Sequence, residues 1–206
     1  MAVATLPIGE PGMRIGLFGG SFNPAHEGHR LVALECLKRL ALDKVWLLVS
    51  PGNPLKSRSE LAPLDERLAE TVKIMDDPRL EVTGFEEGHG FGYTWETLRF
   101  LTSSHPQVKF VWIMGADSLQ SFDQWERWRD IAAMVPIAVY ARPGSTFRAT
   151  SSPAATALAA DRIPEDKAPV LADSAPPVWA YLRGVMSSAS STAIRQARAK
   201  STSIAG

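Results

Sequence analysis

The chain has 206 residues, of which 45% are apolar and 21% charged, and its 22 basic side chains balance its 22 acidic ones. This length predicts a single domain, and the zero net charge argues against a nucleic-acid-binding protein, which needs clustered Lys and Arg. No apolar run is long enough to predict a membrane span, and residues 1–12 lack the features of a signal peptide. The single cysteine, Cys36, cannot form an intrachain disulfide, so we expect a reducing, cytoplasmic location.

Strand-like apolar runs alternate with segments of helical periodicity along the chain. Strands are expected at residues 14–18, 44–49, 80–85, 109–115, 136–140 and 177–182, and helices at 26–41, 64–75 and 93–103. This alternation predicts βαβ units, and therefore an α/β, Rossmann-like, doubly wound fold with a mostly parallel sheet. Ligands of such sheets bind at the carboxyl ends of the strands.

The domain organisation follows from composition. Residues 1–12 are expected to form a flexible lead-in, and residues 13–206 to form the domain. Within it, residues 143–177 are rich in Ala, Ser and Pro and are predicted to be a surface insertion. Ser152 and Pro153 are typical of a helix start, so a short helix is expected inside that insertion.

The most informative segment is residues 19–29, with the sequence GGSFNPAHEGH. It follows the first predicted strand and leads into the first predicted helix. Such a junction presents backbone N–H groups and the positive end of a helix to an anion. His26 and His29 are three residues apart, so they are expected on one face of the first turn, with both imidazoles directed at a bound phosphate.

A metal site is the alternative interpretation of the two histidines. Zinc needs a third and usually a fourth ligand, and Cys36, His89 and His105 have no convincing ligand spacing. The segment also lacks the G-K-[ST] of a Walker A loop and the spacing of the dinucleotide fingerprint. Phosphate binding is therefore favoured, and no side-chain metal site is predicted.

At these residues the chain resembles the H-x-G-H nucleotidyltransferase superfamily, and within it the bacterial nicotinate-nucleotide adenylyltransferases. The resemblance runs from about residue 13 to residue 195. It includes residues 189–195, ASSTAIR, which are similar to the family's I-S-S-T-x-I-R motif with Ala189 in place of isoleucine. It implies transfer of AMP from ATP to nicotinate mononucleotide in NAD biosynthesis, with Mg²⁺ bound mainly through the ATP phosphates.

The resemblance also implies a role for each matching residue. The residues expected to be catalytic are His26, His29, Lys56 and Arg195. The further residues expected to contact ATP are Gly19, Gly20, Ser21, Phe22, Gly115, Asp117, Ser190, Ser191 and Thr192. The residues expected to contact nicotinate mononucleotide are Asn53, Tyr93, Thr94, Trp125 and Arg142.

Several of these residues also have an ordinary structural interpretation. Thr94 and Asp117 each precede or begin a predicted helix and could be simple caps. Trp125 and Trp128 could both be core residues. We predict that Trp125 stacks on the pyridine ring and that Trp128 packs in the core.

Two alternative functions remain beside the favoured one. The same chemistry could act on nicotinamide mononucleotide or phosphopantetheine, or could transfer a cytidylyl group. A nucleotide-sensing protein without turnover is the alternative from another class. The segments around Tyr93 and Trp125 favour a pyridine ring, and the intact histidine pair with Arg195 argues against a sensor.

Overall fold

The computed structural model describes residues 5–52, 61–141, 146–184 and 190–204. The strands are β1 (Arg14–Gly20), β2 (Lys44–Val49), β3 (Leu80–Thr83), β4 (Lys109–Gly115), β5 (Ile137–Tyr140), β6 (Arg162–Ile163) and β7 (Trp179–Leu182). The helices are α1 (Glu27–Arg39), α2 (Leu64–Ile74), α3 (Phe85–His89), α4 (Thr94–Ser104), α5 (Ala116–Leu119), α6 (Trp128–Met134), α7 (Thr146–Thr150), α8 (Pro153–Ala157) and α9 (Ser191–Ile204).

The strands form one seven-stranded sheet in the order β3-β2-β1-β4-β5-β7-β6. Every pair is parallel, and Ile15 of β1 lies opposite Lys44 of β2 and Phe110 of β4. From β1 the sheet grows on one side through β2 to β3. The chain then crosses to the other side of β1, where β4 and the later strands extend the sheet. This confirms the predicted Rossmann-like α/β fold, and its switch point lies between the carboxyl ends of β1 and β4.

The core has two layers because successive strand residues point to opposite faces of the sheet. Ile15 and Leu17 belong to one apolar cluster, which also contains buried residues of α4 and α6. Phe18 and Leu47 belong to the other, which contains buried residues of α1 and α2. Helices therefore cover both faces, and both faces of the central strands are apolar.

The third strand is shorter than the sequence predicts. It ends at Thr83, whose hydroxyl accepts a hydrogen bond from the N–H of Phe85 at 3.2 Å. This local turn takes the chain out of the sheet, and Phe85 begins α3 instead of ending the strand.

The described part of residues 143–177 has more regular structure than its composition suggests. It contains α7, α8 and β6, and β6 extends the sheet by pairing with β7. Ala149 and Leu171 are fully buried, because small and aliphatic side chains can pack closely against the sheet layers. The predicted helix start is observed: Ser152 Oγ accepts from the N–H of Ala155 at 3.3 Å, and Pro153 is the first helical residue.

The described part of the lead-in, residues 5–12, is hydrogen-bonded to the domain. The hydroxyl of Thr83 donates to the carbonyl of Thr5 at 2.8 Å, and the N–H of Gly12 donates to the carbonyl of Gln107 at 2.9 Å. Residues 5–12 therefore contact the domain, and the flexibility of the lead-in stays a prediction. Within the described ranges, no helix combines the length and apolarity needed to cross a membrane.

Candidate active site

A cavity of about 300 Å³ opens at the carboxyl ends of β1 and β2. Its walls come from the residues after these strands, from the start of α4, from β4 and from the chain around α5. Six residues singled out in the sequence line it, namely Gly19, Gly20, Ser21, Tyr93, Thr94 and Trp125. The volume is that of a small-ligand pocket, at the position where this fold binds ligands.

Gly19 allows an indole ring to form part of the cavity wall. A Cβ atom at this position would lie 2.5 Å from Cη2 of Trp112, which is a buried side chain of β4. Any residue other than glycine would therefore displace the tryptophan. The loop then turns through Phe22, whose φ of +44° is rare for a bulky residue. Packing against Phe18 and His29 holds it there, with ring centroids 5.7 and 5.0 Å away.

The two histidines form the cap of α1. His26 precedes the helix, and its Nδ1 accepts a hydrogen bond from the N–H of Gly28 at 3.1 Å. His29 Nδ1 accepts from the N–H of His26 at 3.3 Å, and the two rings stack with centroids 3.9 Å apart. Since each Nδ1 is an acceptor, each neutral ring carries its proton on Nε2. Both imidazoles therefore have a donor on the side away from the helix backbone.

The segment that opens α9 lies against this loop. Ser191 Oγ donates to the carbonyl of Pro24 at 2.9 Å. Arg195 Nη1 donates to the carbonyl of Asn23 at 2.7 Å, across 172 positions of the chain. The two motifs that most resemble phosphate-binding segments are therefore in direct contact. Ser190 and Thr192, on either side of Ser191, are exposed.

Helix α4 begins at the cavity, but Thr94 is not its cap. Tyr93 precedes the helix, and Glu96 Oε2 accepts hydrogen bonds from the N–H groups of Gly92 at 2.9 Å and Tyr93 at 3.0 Å. A carboxylate of the chain thus occupies N–H groups that the sequence alone leaves open for a ligand. Thr94 is the first helical residue and lines the cavity.

The two tryptophans occupy different environments. Trp125 is half-buried, lines the cavity and packs edge-on against Phe122 and Trp112. Trp128 begins α6 and is buried in the core against Phe122. The two do not share a helix, because a short turn that includes Arg127, with a φ of +54°, separates them.

The family comparisons agree with this geometry. A family model described as cytidylyltransferase-like matches residues 17–197. A probable nicotinate-nucleotide adenylyltransferase of Methylorubrum extorquens is 56% identical over 183 residues, which cover 89% of this chain and 99% of that protein. One of Rhizobium johnstonii is 52% identical over 190 residues, covering 92% of this chain and 96% of that protein. The chain belongs to the nicotinate-nucleotide adenylyltransferase family.

The comparison with solved structures concerns the fold alone. The solved structure of the Plasmodium falciparum nicotinic acid mononucleotide adenylyltransferase complexed with NaAD superposes with a TM-score of 0.65 at 16% identity. The match covers 89% of this chain and 83% of that one. At this identity the likeness shows that the adenylyltransferase fold is shared.

The remaining residues expected from the family resemblance divide into two groups. Gly115 ends β4 and precedes α5, and Asp117 lies exposed in the first turn of that helix. Both residues lie at or just after the carboxyl end of β4, the strand next to β1, and therefore at the same edge of the sheet as the cavity. Asn53, Lys56 and Arg142 lie outside the described residues.

The cavity also involves residues that the sequence did not single out. Glu86 lines it and is 8% exposed; burial raises the pKa of its carboxyl, and a 2.6 Å hydrogen bond from the hydroxyl of Thr97 offsets part of that rise. Arg67 lies behind the wall, only 2% exposed. Both belong to charged stretches that are typical of an exposed helix face, so local sequence had no signal for their burial.

Cys36 lies fully buried in α1, away from the cavity wall. Burial raises the pKa of its thiol to about 12, so the thiol stays protonated near neutral pH. Cys36 therefore packs as a small apolar side chain in the core. Among the residues that the structure describes, no group of three or more His, Cys, Asp or Glu side chains is arranged to hold a metal ion.

Proposed function

We propose that this protein transfers AMP from ATP to nicotinate mononucleotide, giving deamido-NAD and pyrophosphate. The observation that carries the proposal is the contact between residues 19–29 and the start of α9, through Ser191 and Arg195. Two segments with phosphate-binding chemistry meet there, and Gly19, Gly20 and Ser21 of the first also line a cavity that has aromatic side chains in its wall. The names of the relatives point to the same reaction.

In the proposed reaction, a phosphate oxygen of the mononucleotide bonds to the α-phosphorus of ATP. The bond from that phosphorus to the bridging oxygen breaks, and pyrophosphate leaves with the electron pair. The attacking phosphate is already anionic near neutral pH, so no side-chain nucleophile is needed. Catalysis then consists of positioning the reactants and stabilising charge.

His26 and His29 are proposed to bind the α-phosphate. Their Nδ1 atoms accept from backbone N–H groups, which leaves the Nε2 protons as the donors of the neutral rings. Arg195, Lys56 and the hydroxyls at 190–192 are proposed to bind the outer phosphates, where a guanidinium fork matches the oxygens. Gly19, Gly20, Ser21 and Phe22 would carry the loop backbone past ATP, and Gly115 and Asp117 would contact its adenosine.

Mg²⁺ fits this donor set as a companion of the nucleotide. Among the described residues no group of three or more His, Cys, Asp or Glu side chains is arranged to hold a metal ion, and Mg²⁺ readily binds through substrate phosphates with few protein ligands. When bound, the ion would neutralise part of the triphosphate charge.

The pyridine ring is proposed to lie between Trp125 and the start of α4. Trp125 offers a half-buried indole face in the cavity wall. The first N–H groups of a helix have no partner within the helix. Glu96 already accepts hydrogen bonds from the N–H groups of Gly92 and Tyr93, just before α4. The N–H groups of Thr94 and Trp95 are therefore proposed to bind the carboxylate of the pyridine ring. Asn53 and Arg142 are proposed to complete this side. A cytoplasmic location is proposed from the single buried cysteine.

A pyrophosphate-release assay with ATP and nicotinate mononucleotide tests the proposal. We expect release that requires both substrates, with deamido-NAD as the other product. Nicotinamide mononucleotide, phosphopantetheine and CTP serve as substitutes that identify the alternative transferases. Tight ATP binding without pyrophosphate release on any acceptor would instead identify a nucleotide sensor.

A further inference from the structure

Arg67 of α2 is a buried guanidinium that joins three backbone segments. Its Nε donates to the carbonyl of Ala62 at 2.9 Å, and its Nη1 donates to the carbonyls of Ser21 at 2.7 Å and Ser50 at 2.8 Å. The side chain is 2% exposed. No ion pair among the described residues includes it. Its hydrogen-bonding partners are therefore all neutral carbonyl groups.

Two of these carbonyls belong to the wall of the cavity. Ser21 follows β1, Ser50 follows β2, and both residues line the cavity. The N–H of Ser50 also donates to the carbonyl of Gly20 at 2.9 Å. A single nitrogen of Arg67 thus binds the ends of two neighbouring parallel strands, at the edge where the sheet meets its ligand.

Carbonyl oxygens at this edge carry partial negative charge, which is unfavourable beside a triphosphate. A guanidinium that binds them offsets that charge and fixes the oxygens in place. We propose that Arg67 is a positioning residue for ATP, acting through the backbone of Ser21 and Ser50. The inference rests on the proposed adenylyl transfer and adds to it a residue outside the family motifs discussed above.

The burial of Arg67 is hard to explain by stability alone. A buried guanidinium without an ion pair is costly; burial lowers its pKa, and the negative charge of Glu87 offsets part of that fall. Three carbonyls satisfy donors but do not neutralise the charge. An anionic nucleotide in the adjoining cavity would add negative charge to that of Glu87, so the cost of the buried cation is partly recovered when ATP binds.

Arg67→Lys and Arg67→Met separate the geometry from the charge. Lysine keeps the charge but cannot reproduce the planar fork, and methionine removes both charge and donors. Arg14→Lys is the matched control, because Arg14 pairs with Asp173 at 2.6 Å at the start of β1, the opposite end of the sheet. For each variant, calorimetry with ATP alone gives Kd, and steady-state kinetics gives kcat and KM, under conditions where near-ultraviolet circular dichroism matches the wild type.

We expect the Kd for ATP to rise on the order of tenfold in Arg67→Lys and up to a hundredfold in Arg67→Met, the scale on which small misplacements act. The control should keep the wild-type Kd. Folded Arg67 variants that bind ATP with wild-type Kd and turn over with wild-type kcat/KM would overturn the proposal, whatever their melting temperatures. If the wild type binds ATP but has no transferase activity, the proposed function is refuted. Weaker ATP binding by the Arg67 variants would in that case still support the positioning role.

Hydrogen exchange of the wild type provides a test that needs no variant. If Arg67 preforms the strand ends, the amide of Ser50 is protected before nucleotide is added, and ATP increases its protection little. Rapid exchange at this amide in the nucleotide-free protein, followed by strong protection with ATP, would show that the nucleotide itself orders the strand ends. That result would overturn the proposal even if neither Arg67 variant folded.

Discussion

The starts of α1 and α4 have the same local architecture but different chemistry. In each, the side chain of the third helical residue accepts a hydrogen bond from the backbone N–H just before the helix. His29 Nδ1 accepts from His26 at 3.3 Å, and Glu96 Oε2 accepts from Tyr93 at 3.0 Å. Both caps are close to the cavity or to the loop that enters it.

The capping groups differ in what they leave for a ligand. A neutral imidazole accepts at one nitrogen and donates at the other, so each histidine that caps α1 also carries an N–H donor. A carboxylate only accepts, so Glu96 occupies the N–H groups of Gly92 and Tyr93 and adds negative charge. Capping and phosphate binding are therefore compatible at α1, whereas at α4 the cap competes with a ligand carboxylate.

The largest effect is expected from removing the imidazole of His29. His29→Ala should reduce kcat by on the order of a hundredfold or more, the scale for losing a transition-state donor. Glu96→Ala is the matched control, since it removes the corresponding cap of α4. It should lower the free energy of unfolding by about 0.5–2 kcal/mol while leaving kcat at saturating substrates little changed. Equal losses of kcat in both variants would mean that His29 matters only as a cap.

Arg195 tests the phosphate side of the cavity from the other motif. Arg195→Ala should weaken ATP binding by about 1.5–3 kcal/mol, the range for a hydrogen bond to a charged group. Arg195→Lys should recover only part of this loss, because a point charge cannot replace the guanidinium fork. Calorimetry with ATP measures both. If both variants bind ATP with the wild-type affinity, Arg195 has only a structural role, through its contact with the carbonyl of Asn23.

Trp125 tests the ring side of the cavity. Trp125→Ala should weaken nicotinate mononucleotide by about 1–3 kcal/mol, the range for aromatic stacking on a base, and should affect ATP much less. Trp128→Phe is the control, because Trp128 is buried in the core and its substitution should change stability and not affinity. Binding of each substrate is measured separately by calorimetry. A loss of ATP affinity equal to that for the mononucleotide would contradict the stacking role.

The smallest effect concerns the choice between acid and amide. The wild type should prefer nicotinate over nicotinamide mononucleotide in kcat/KM, because the amide brings donors toward the N–H groups of α4. Glu96→Gln keeps an acceptor but removes the charge, so it should improve binding of the acid by about 0.3–1 kcal/mol and leave the amide unchanged. Equal efficiency of the wild type on both mononucleotides would reject the acid as the preferred substrate.

Local sequence was a good guide where one chemical requirement dominates. The apolar runs of β1 and β4 predicted buried parallel strands, and Ser152-Pro153 predicted the start of α8. It was a poor guide to residues 143–177, whose composition resembles a solvated loop although Ala149 and Leu171 are buried. Composition records only which side chains a segment contains, whereas their burial depends on how the segment packs against the rest of the domain.

The candidate site was predicted in pieces. Residues 19–29 and 190–195 each suggested phosphate chemistry, but only the fold shows Arg195 in contact with the carbonyl of Asn23. Arg67 and Glu86 were missed, because each lies in a run of charged residues that reads as solvent-facing. Capping of α4 by Thr94 was the structural alternative to ligand binding, but Glu96 accepts from the N–H groups before this helix, because the choice between neighbouring caps depends on the path of the preceding loop.

The sequence by itself determined most secondary-structure elements, such as the parallel strands from apolar runs and the glycine turn before a helix. It also determined which functional groups the motifs carry, namely imidazole, hydroxyl and guanidinium groups in a fixed order along the chain. These follow from interactions within a few residues, such as steric freedom, capping and hydrophobic periodicity. Only the tertiary structure decided which groups share the cavity and which N–H groups are already occupied. It also placed the buried cation Arg67 behind the strand ends. Those features depend on contacts between segments far apart in the chain, and the free energy of such contacts comes from the packing of the whole domain.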